Sequence, residues 1–220
     1  MIQWVYEAAS MCDAFGRTII ATDDERIQAA AEPFGAEVMM TSSDHQTGTD
    51  RLCEVAEANA DFDVFVNVQG DQPFVTSEIL TRLVEPFFAA DSPEMATLAC
   101  PLDETARTDP NSVKVICDQR MNAIYFSRAN IPYLRSNAPA PVYHHLGLYA
   151  FGSSFVHKFH QYAPTPLEQC EQLEQLRALE NGHQIRVSLI AEPIIEVNTP
   201  EDLEIANEAM TKRVESSNLA

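Results

Sequence analysis

An aspartate delivered by the end of a buried strand can hold a metal ion, and Asp71 stands at such an end in VNVQGDQPFV, residues 66 to 75. Val64, Phe65, Val66 and Val68 make a short apolar run that stops at Gly70 and Asp71, with Pro73 closing a turn. In open α/β sheets ligands sit beyond the carboxyl ends of the strands, so an acidic side chain there suits a divalent cation. A turn aspartate bonding its own backbone is the plain alternative. The second signal is the use of scarce arginines: Arg128 and Arg135 lie seven apart in YFSRANIPYLR, and guanidinium forks clamp carboxylate or phosphate with paired hydrogen bonds. Solvation of an acidic surface accounts for the same pair on spacing alone. The third is a polar loop, SDHQTGTDRL, that carries Gly48.

Elements of two kinds must position these groups. Thr18 to Thr22 is an apolar strand ending in Asp23 and Asp24; a helix to Phe34 follows, stopped by Gly35, and then a strand from Glu37 to Thr41. The polar loop leads into a helix over 52–58, the Asp71 strand comes next, and another helix runs from Ser77 to about Phe88. Strands alternating with helices favour a parallel sheet covered on both faces. Beyond residue 95, MATLAC, SVKVIC, AIYFSR and HHLGLYAF have little helix between them, which predicts an antiparallel extension or small lobe. Leu167, Cys170, Leu173 and Leu176 at threefold spacing predict one helix from Leu167 to Glu180, stopped at Asn181 and Gly182. Thr199, Pro200 and Asp202 open the last helix as cap, first-turn proline and acidic third position. A single domain over 1–213 with a flexible tail over 214–220 is the expected organisation.

Composition sets the outer bounds. The 220 residues hold 33 Asp plus Glu against 14 Lys plus Arg, a net charge of −19, which argues against nucleic-acid or anionic-membrane partners. The five cysteines are scattered with no CxxC pair, so they read as buried thiols in a reducing cytoplasm rather than a disulfide frame or zinc site. No apolar run reaches the roughly 18 residues of a membrane span. GxGxxG, GxxxxGK and GxSxG are all absent, which removes the main support for dinucleotide, P-loop and nucleophile-elbow chemistry.

At the level of whole blocks the chain resembles a known family. HQTGTDRL (45–52), VNVQGDQP (66–73), MATLACP (95–101), NSVKVICD (111–118), YFSRANIP (125–132), HHLGLYAF (144–151), PLEQCEQLEQLRALENG (166–182) and VNTPEDLE (197–204) are similar to the 3-deoxy-manno-octulosonate cytidylyltransferases, the CMP-Kdo synthetases of Gram-negative bacteria. Several blocks in register are more specific than any one motif. The resemblance implies an α/β, Rossmann-like nucleotidyltransferase fold, mostly parallel with helices on both faces and a small antiparallel extension. It also implies a cytoplasmic homodimer that uses Mg2+ and couples CTP to 3-deoxy-manno-octulosonate (Kdo), releasing pyrophosphate for lipopolysaccharide synthesis.

Carried over residue by residue, the resemblance makes Asp71 the magnesium aspartate of QGD, with Gln69 beside it in the sugar pocket. His45, Gly48, Thr49 and Arg51 match the segment that meets the nucleotide. Arg128, Arg135, His145, Tyr149, Glu174 and Gln175 match the Kdo-binding set, Arg128 counting also as catalytic through its charge; Tyr149 and Glu174 have packing and surface roles as their alternatives. The implied mechanism is in-line attack by the anomeric hydroxyl of Kdo on the α-phosphorus of CTP.

Two departures from the family pattern shape the expectations. Asn198 stands where a VDTPED block would place a second metal aspartate, so it offers an oxygen without a charge. The chain opens at MIQWVYEAAS, matching the helix after the family's first strand and phosphate loop; about 35 residues of the pattern have no counterpart. The strands at 18–22 and 64–68 are therefore expected to face each other across an unfilled slot. A catalytically silent homologue acting as a sugar-binding or dimer-partner protein is the alternative to the enzyme. A glycosyltransferase of similar architecture is the other enzyme reading, and it lacks its Asp-x-Asp in QGDQP.

Overall fold

One ten-residue strand, β7 (Tyr143–Gly152), organises the sheet. Along one edge it pairs antiparallel with β4 (Met95–Pro101); along the other, β3 (Val64–Asn67) takes its last four residues and β5 (Lys114–Cys117) takes Tyr143 and His144. β8 (Ile185–Leu189) joins β4 in parallel and β6 (Ala123–Ser127) joins β5 antiparallel, so six strands form one sheet. β1 (Ile20–Thr22) and β2 (Val38–Met40) make a separate parallel pair. This computed structural model describes residues 1–45, 47–136 and 140–217, without the side chains of 212–217.

Burial explains why the sheet has three layers. Every residue of β4 from Met95 to Cys100 is buried, as an apolar run covered on both faces must be. Met95 and Ala99 pack with Cys53, Phe155, Phe159 and Leu176 on one face, while Ala96, Leu98 and Cys100 pack with Val5, Leu80 and Leu83 on the other. Helices α3 (Gly48–Glu57), α5 (Ser153–His160) and α7 (Leu176–Glu180) cover the first face; α1 (Ile2–Ser10) and α4 (Ser77–Val84) cover the second. The α/β class with helices on both faces is therefore as expected. The sheet is mixed, with a larger antiparallel share than the alternation suggested, because β7 runs against all three of its neighbours. No helix among the described residues is long and apolar enough to cross a membrane.

Three boundaries differ from expectation for physical reasons. Helix α3 starts at Gly48 because Thr47 and Asp50 form a reciprocal capping box, so Gly48, Thr49 and Arg51 lie in its first turn rather than in a loop. The helix expected over 167–180 is broken: α6 (Pro166–Glu171) ends at Gln172, which is left-handed at φ 54°, ψ 50°, and α7 begins only at Leu176. The break leaves Leu167 and Cys170 exposed while Leu173 and Leu176 are buried, so Cys170 is not the buried thiol it was expected to be. Helix α8 (Pro200–Ser217) continues past Val214, where the tail was expected, and residues 218–220 lie outside the described residues. Its start is as read from sequence, with Thr199 and Asp202 exchanging backbone bonds at 2.9 and 3.1 Å.

The expected slot is present. Among the described residues β1 has a ladder only to β2 and β3 only to β7, and between them lies a cavity of about 610 Å3. Its walls are residues 18–22 on one side and 63–69 on the other, with Ile2, Val5 and Tyr6 of α1 and Leu52 and Val55 of α3 closing it.

Candidate active site

The carboxyl ends of the strands gather the polar groups around Asp71. Chain flow off β3 carries Gln69, Gly70 and Asp71 into a turn, and Asp71's carbonyl accepts from the Val197 amide at 2.9 Å, which ties the turn to the segment before α8. Burial lifts the Asp71 carboxyl above the usual aspartate range, and the Glu196 carboxylate adds to the lift. Gln72, 1% exposed, donates to Glu196 at 2.8 Å and keeps its own Oε1 without a partner. Asn198 is exposed, its amide 3.5 Å from Glu196. Two carboxylates and an asparagine therefore meet here. Among the described residues no three His, Cys, Asp or Glu side chains form a metal cage. Magnesium bound with a nucleotide needs only one or two carboxylates, the remainder coming from phosphate oxygens and waters, so these donors fit it.

Beside Asp71 the N-terminus of α3 comes close to β3. A Cβ on Gly48 would lie 3.1 Å from Asn67 Nδ2 and 3.3 Å from Gln69 Nε2, so only glycine allows this approach without a shift. Gln69 in turn donates to Asn67 at 3.2 Å. Thr47 and Thr49 donate their hydroxyls to Glu174 at 3.2 and 2.8 Å. Burial raises the Glu174 carboxyl above its ordinary range despite the Thr49 bond. Arg51 reaches Thr41, the Ser42 carbonyl at 3.4 Å and Asp23 at 3.2 Å, so it fastens α3 to the ends of β1 and β2. His45 pairs with Glu54 of α3. Of the residues matched to the nucleotide segment, Gly48 and Arg51 line the slot, while Thr49 turns to Glu174 and His45 to Glu54.

A second cavity, about 380 Å3, has Glu196 in its wall. Arg128, His144, His145, Tyr149, Gln175 and Glu196 line it together with Asn111 and Ser112. Arg128 is held by carbonyls: its Nε donates to Glu171 O at 2.8 Å, Nη1 to Pro110 O at 3.0 Å and Nη2 to Gln172 O at 3.4 Å. Two of these carbonyls are free because α6 ends there, which gives the broken helix a local purpose. Among the described residues three of the five guanidinium protons are used, which leaves one on each Nη.

His145 and Tyr149 stack inward from β7. His145 lies edge-on to Phe126, centroids 4.9 Å apart, and 5.5 Å from Tyr149. The buried Thr97 hydroxyl lies 2.7 Å from Leu148 O, 3.2 Å from Leu146 O and 3.0 Å from His145 Nε2; with its single proton on Leu148 O, the shortest contact, His145 Nε2 donates to it. Nδ1 then carries the lone pair. Burial drives the His145 pKa down to about 3, with His144 pushing the same way, so the ring is neutral and suits a hydroxyl rather than a carboxylate. Tyr149's hydroxyl is raised by burial. Gln175, 3% exposed, leaves Nε2 without a partner, a donor in the cavity wall.

Arg128, His145, Tyr149 and Gln175 are thus brought together, with Glu174 turned to the threonines of α3 instead. Arg135 stands exposed in the segment before residue 137, outside the walls of both cavities. Glu196 and His144 were missed by sequence reading. Glu196 sits at the end of the apolar AEPIIEV, and nothing in the sequence signals that this segment meets QGDQP.

Known proteins resemble the chain along nearly its whole length. A family model described as Cytidylyltransferase matches residues 1–185. The 3-deoxy-manno-octulosonate cytidylyltransferase of Acaryochloris marina is 54% identical over 204 residues, covering 92% of this chain and 83% of that one. At 43% over 215 residues, 96% and 88% of the two chains, it is similar to the 8-amino-3,8-dideoxy-manno-octulosonate cytidylyltransferase of Shewanella pealeana. A solved structure, CMP:2-keto-3-deoxy-manno-octonic acid synthetase complexed with CTP, superposes with a TM-score of 0.92 at 34% identity, covering 96% and 88%.

Proposed function

The chain belongs to the cytidylyltransferase family, and we propose from that premise that it transfers CMP from CTP to Kdo, releasing pyrophosphate. The observation that carries the acceptor is the second cavity: a carbonyl-braced Arg128, a neutral His145 and an unpaired Gln175 donor line it together with Glu196, whose carboxylate also acts on Asp71. That set matches a sugar acid, one guanidinium fork for a carboxylate and several single bonds for hydroxyls. The relatives named above are all enzymes of this type, which gives a catalytically silent role no support.

In this reading the residues chiefly bind and aim. Arg128 holds the acceptor's carboxylate, and His145 Nδ1, Tyr149 and Gln175 hold its hydroxyls, so the anomeric oxygen points at the α-phosphorus of CTP. The first turn of α3 and His45 flank the nucleotide. A magnesium ion held by Asp71, with Glu196 and Asn198 beside it, would neutralise charge on the phosphates as the bond to pyrophosphate breaks. A cytoplasmic homodimer is retained as the setting: three thiols are buried and none is paired, and Tyr133 and Leu134 expose apolar surface that a second copy could cover.

Pyrophosphate release with CTP is the test, run with Kdo and with its 8-amino analogue side by side. A kcat/KM for Kdo at least about tenfold above that for the analogue supports the acceptor, since one well-placed polar contact gives discrimination of that order or more. No CTP-dependent release with either sugar would sink the reading.

A further inference from the structure

Lys114 is fully buried, whereas the other large side chains buried as completely, scattered through the core, are apolar, and among the described residues it forms no ion pair with a carboxylate. It projects from β5 with its ammonium completely occupied by three backbone carbonyls: Asp109 O at 2.8 Å, Ser112 O at 2.7 Å and Arg128 O at 2.6 Å. Burying an ammonium is costly unless every proton is bonded, and here every proton is. Burial still pulls its pKa below the ordinary lysine value. A methionine or leucine would fill a strand position at far lower cost, so the charge calls for a reason.

The three carbonyls supply one. Asp109 and Ser112 bracket Pro110, whose own carbonyl accepts Arg128 Nη1 at 3.0 Å. The third carbonyl belongs to Arg128 itself. Lys114 therefore grips both ends of the Pro110 to Arg128 contact: the loop that supplies the acceptor and the residue that supplies the donor. The same loop continues into Asn111, Ser112 and Val113 of the cavity wall. Glu171 closes the arrangement from the other side, accepting from the Arg128 amide at 2.9 Å and from Ser127 Oγ at 2.6 Å.

We infer that Lys114 is a positioning residue for the acceptor subsite, holding the loop 109–112 and Arg128 in the register that presents the free guanidinium protons to an anionic sugar. The inference rests on the acceptor reading given above. It acts through Arg128 and touches no substrate. Its removal lets the loop and the strand end move apart, so the acceptor is lost before the nucleotide.

Lys114→Met and Lys114→Gln, made in the whole chain, test this alone and combined with Arg128→Ala. Each single variant should raise the KM for Kdo at least tenfold and leave the KM for CTP within about threefold. In the Arg128→Ala background the same change at 114 should add less than threefold, because the group it positions is gone. A full multiplicative loss in that background, or equal losses for both substrates, overturns the inference. Amide exchange of residues 109, 111–113 and 128, measured without any substrate, should quicken in Lys114→Gln while β4 amides stay protected. Unchanged exchange there overturns the inference whatever the acceptor proves to be, whereas quickened exchange with no Kdo-dependent turnover in the wild type faults the acceptor reading alone.

Discussion

The two sides of Asp71 are built in opposite ways. On the acceptor side β5 is laddered to both β6 and β7, and Arg128 and Lys114 are braced by carbonyls. On the nucleotide side β1 and β3 share no ladder, and apolar side chains with unpaired strand edges face a cavity of about 610 Å3. A sheet tolerates such a gap poorly, since unpaired buried backbone is costly and exposed edges invite association. The contrast sets a cavity whose arginine is braced by carbonyls against an edge whose space packing has not used.

The largest expected effect tests this contrast through stability. Phe126→Ala, in the closed side, removes a fully buried ring and should cost about 3 to 5 kcal/mol; Ile20→Ala, on the cavity wall, should cost at most about 2, because space already lies beside it. Urea unfolding of the two variants decides the matter, and equal costs would erase the distinction.

Asp71→Asn is next, at the boundary between the sides. Removing a charge aimed at a reacting phosphate lowers turnover about a hundredfold or more, roughly 3 to 4 kcal/mol. The same change should stabilise the fold at neutral pH. A carboxyl whose folded pKa is raised costs stability once the pH exceeds its unfolded value, and the cost fades below about pH 4. Melting curves should therefore favour the Asp71→Asn variant over wild type at pH 7 and converge under acid conditions; a lower melting point for the variant at pH 7 would contradict the burial of that charge.

Arg128→Ala sharpens the comparison within the site. The KM for the sugar should rise at least about tenfold, the loss of one charge-assisted pair, while the KM for CTP stays near wild type. A loss confined to CTP would move Arg128 across the boundary. The smallest change is Asn198→Asp: added ligand charge should lower half-saturating magnesium a fewfold if residue 198 faces the ion. Identical titrations would leave Glu196 as the partner of Asp71.

Much of this was legible where local chemistry decides the outcome. The apolar MATLAC, the strand end at QGDQP, the Gly35 stop and the Thr199 cap all declare themselves within a few residues, and all are found. Thr47 and Asp50 declare themselves too, but as a capping box with aspartate in place of glutamate, and the start of α3 was missed. The broken helix at Gln172 could not be read, because threefold leucines favour one helix while the residue that takes up the Glu171 and Gln172 carbonyls, Arg128, comes from just past β6. Glu196 and Lys114 were invisible for the same reason. Their partners lie far away in sequence or are backbone atoms that carry no residue signature.

The position of β7 also governs the order of assembly. Its partners in β3 and β4 are made some eighty and fifty residues earlier, and they have no ladder to each other without it. During synthesis, at about 5 to 20 residues per second, those strands must wait several seconds for residue 152 to emerge. Contacts of such long sequence separation form slowly, so the nascent chain carries open edges throughout that interval. Codon changes that slow the ribosome between Pro101 and Tyr143 should thus lower soluble yield while leaving the finished enzyme unaltered.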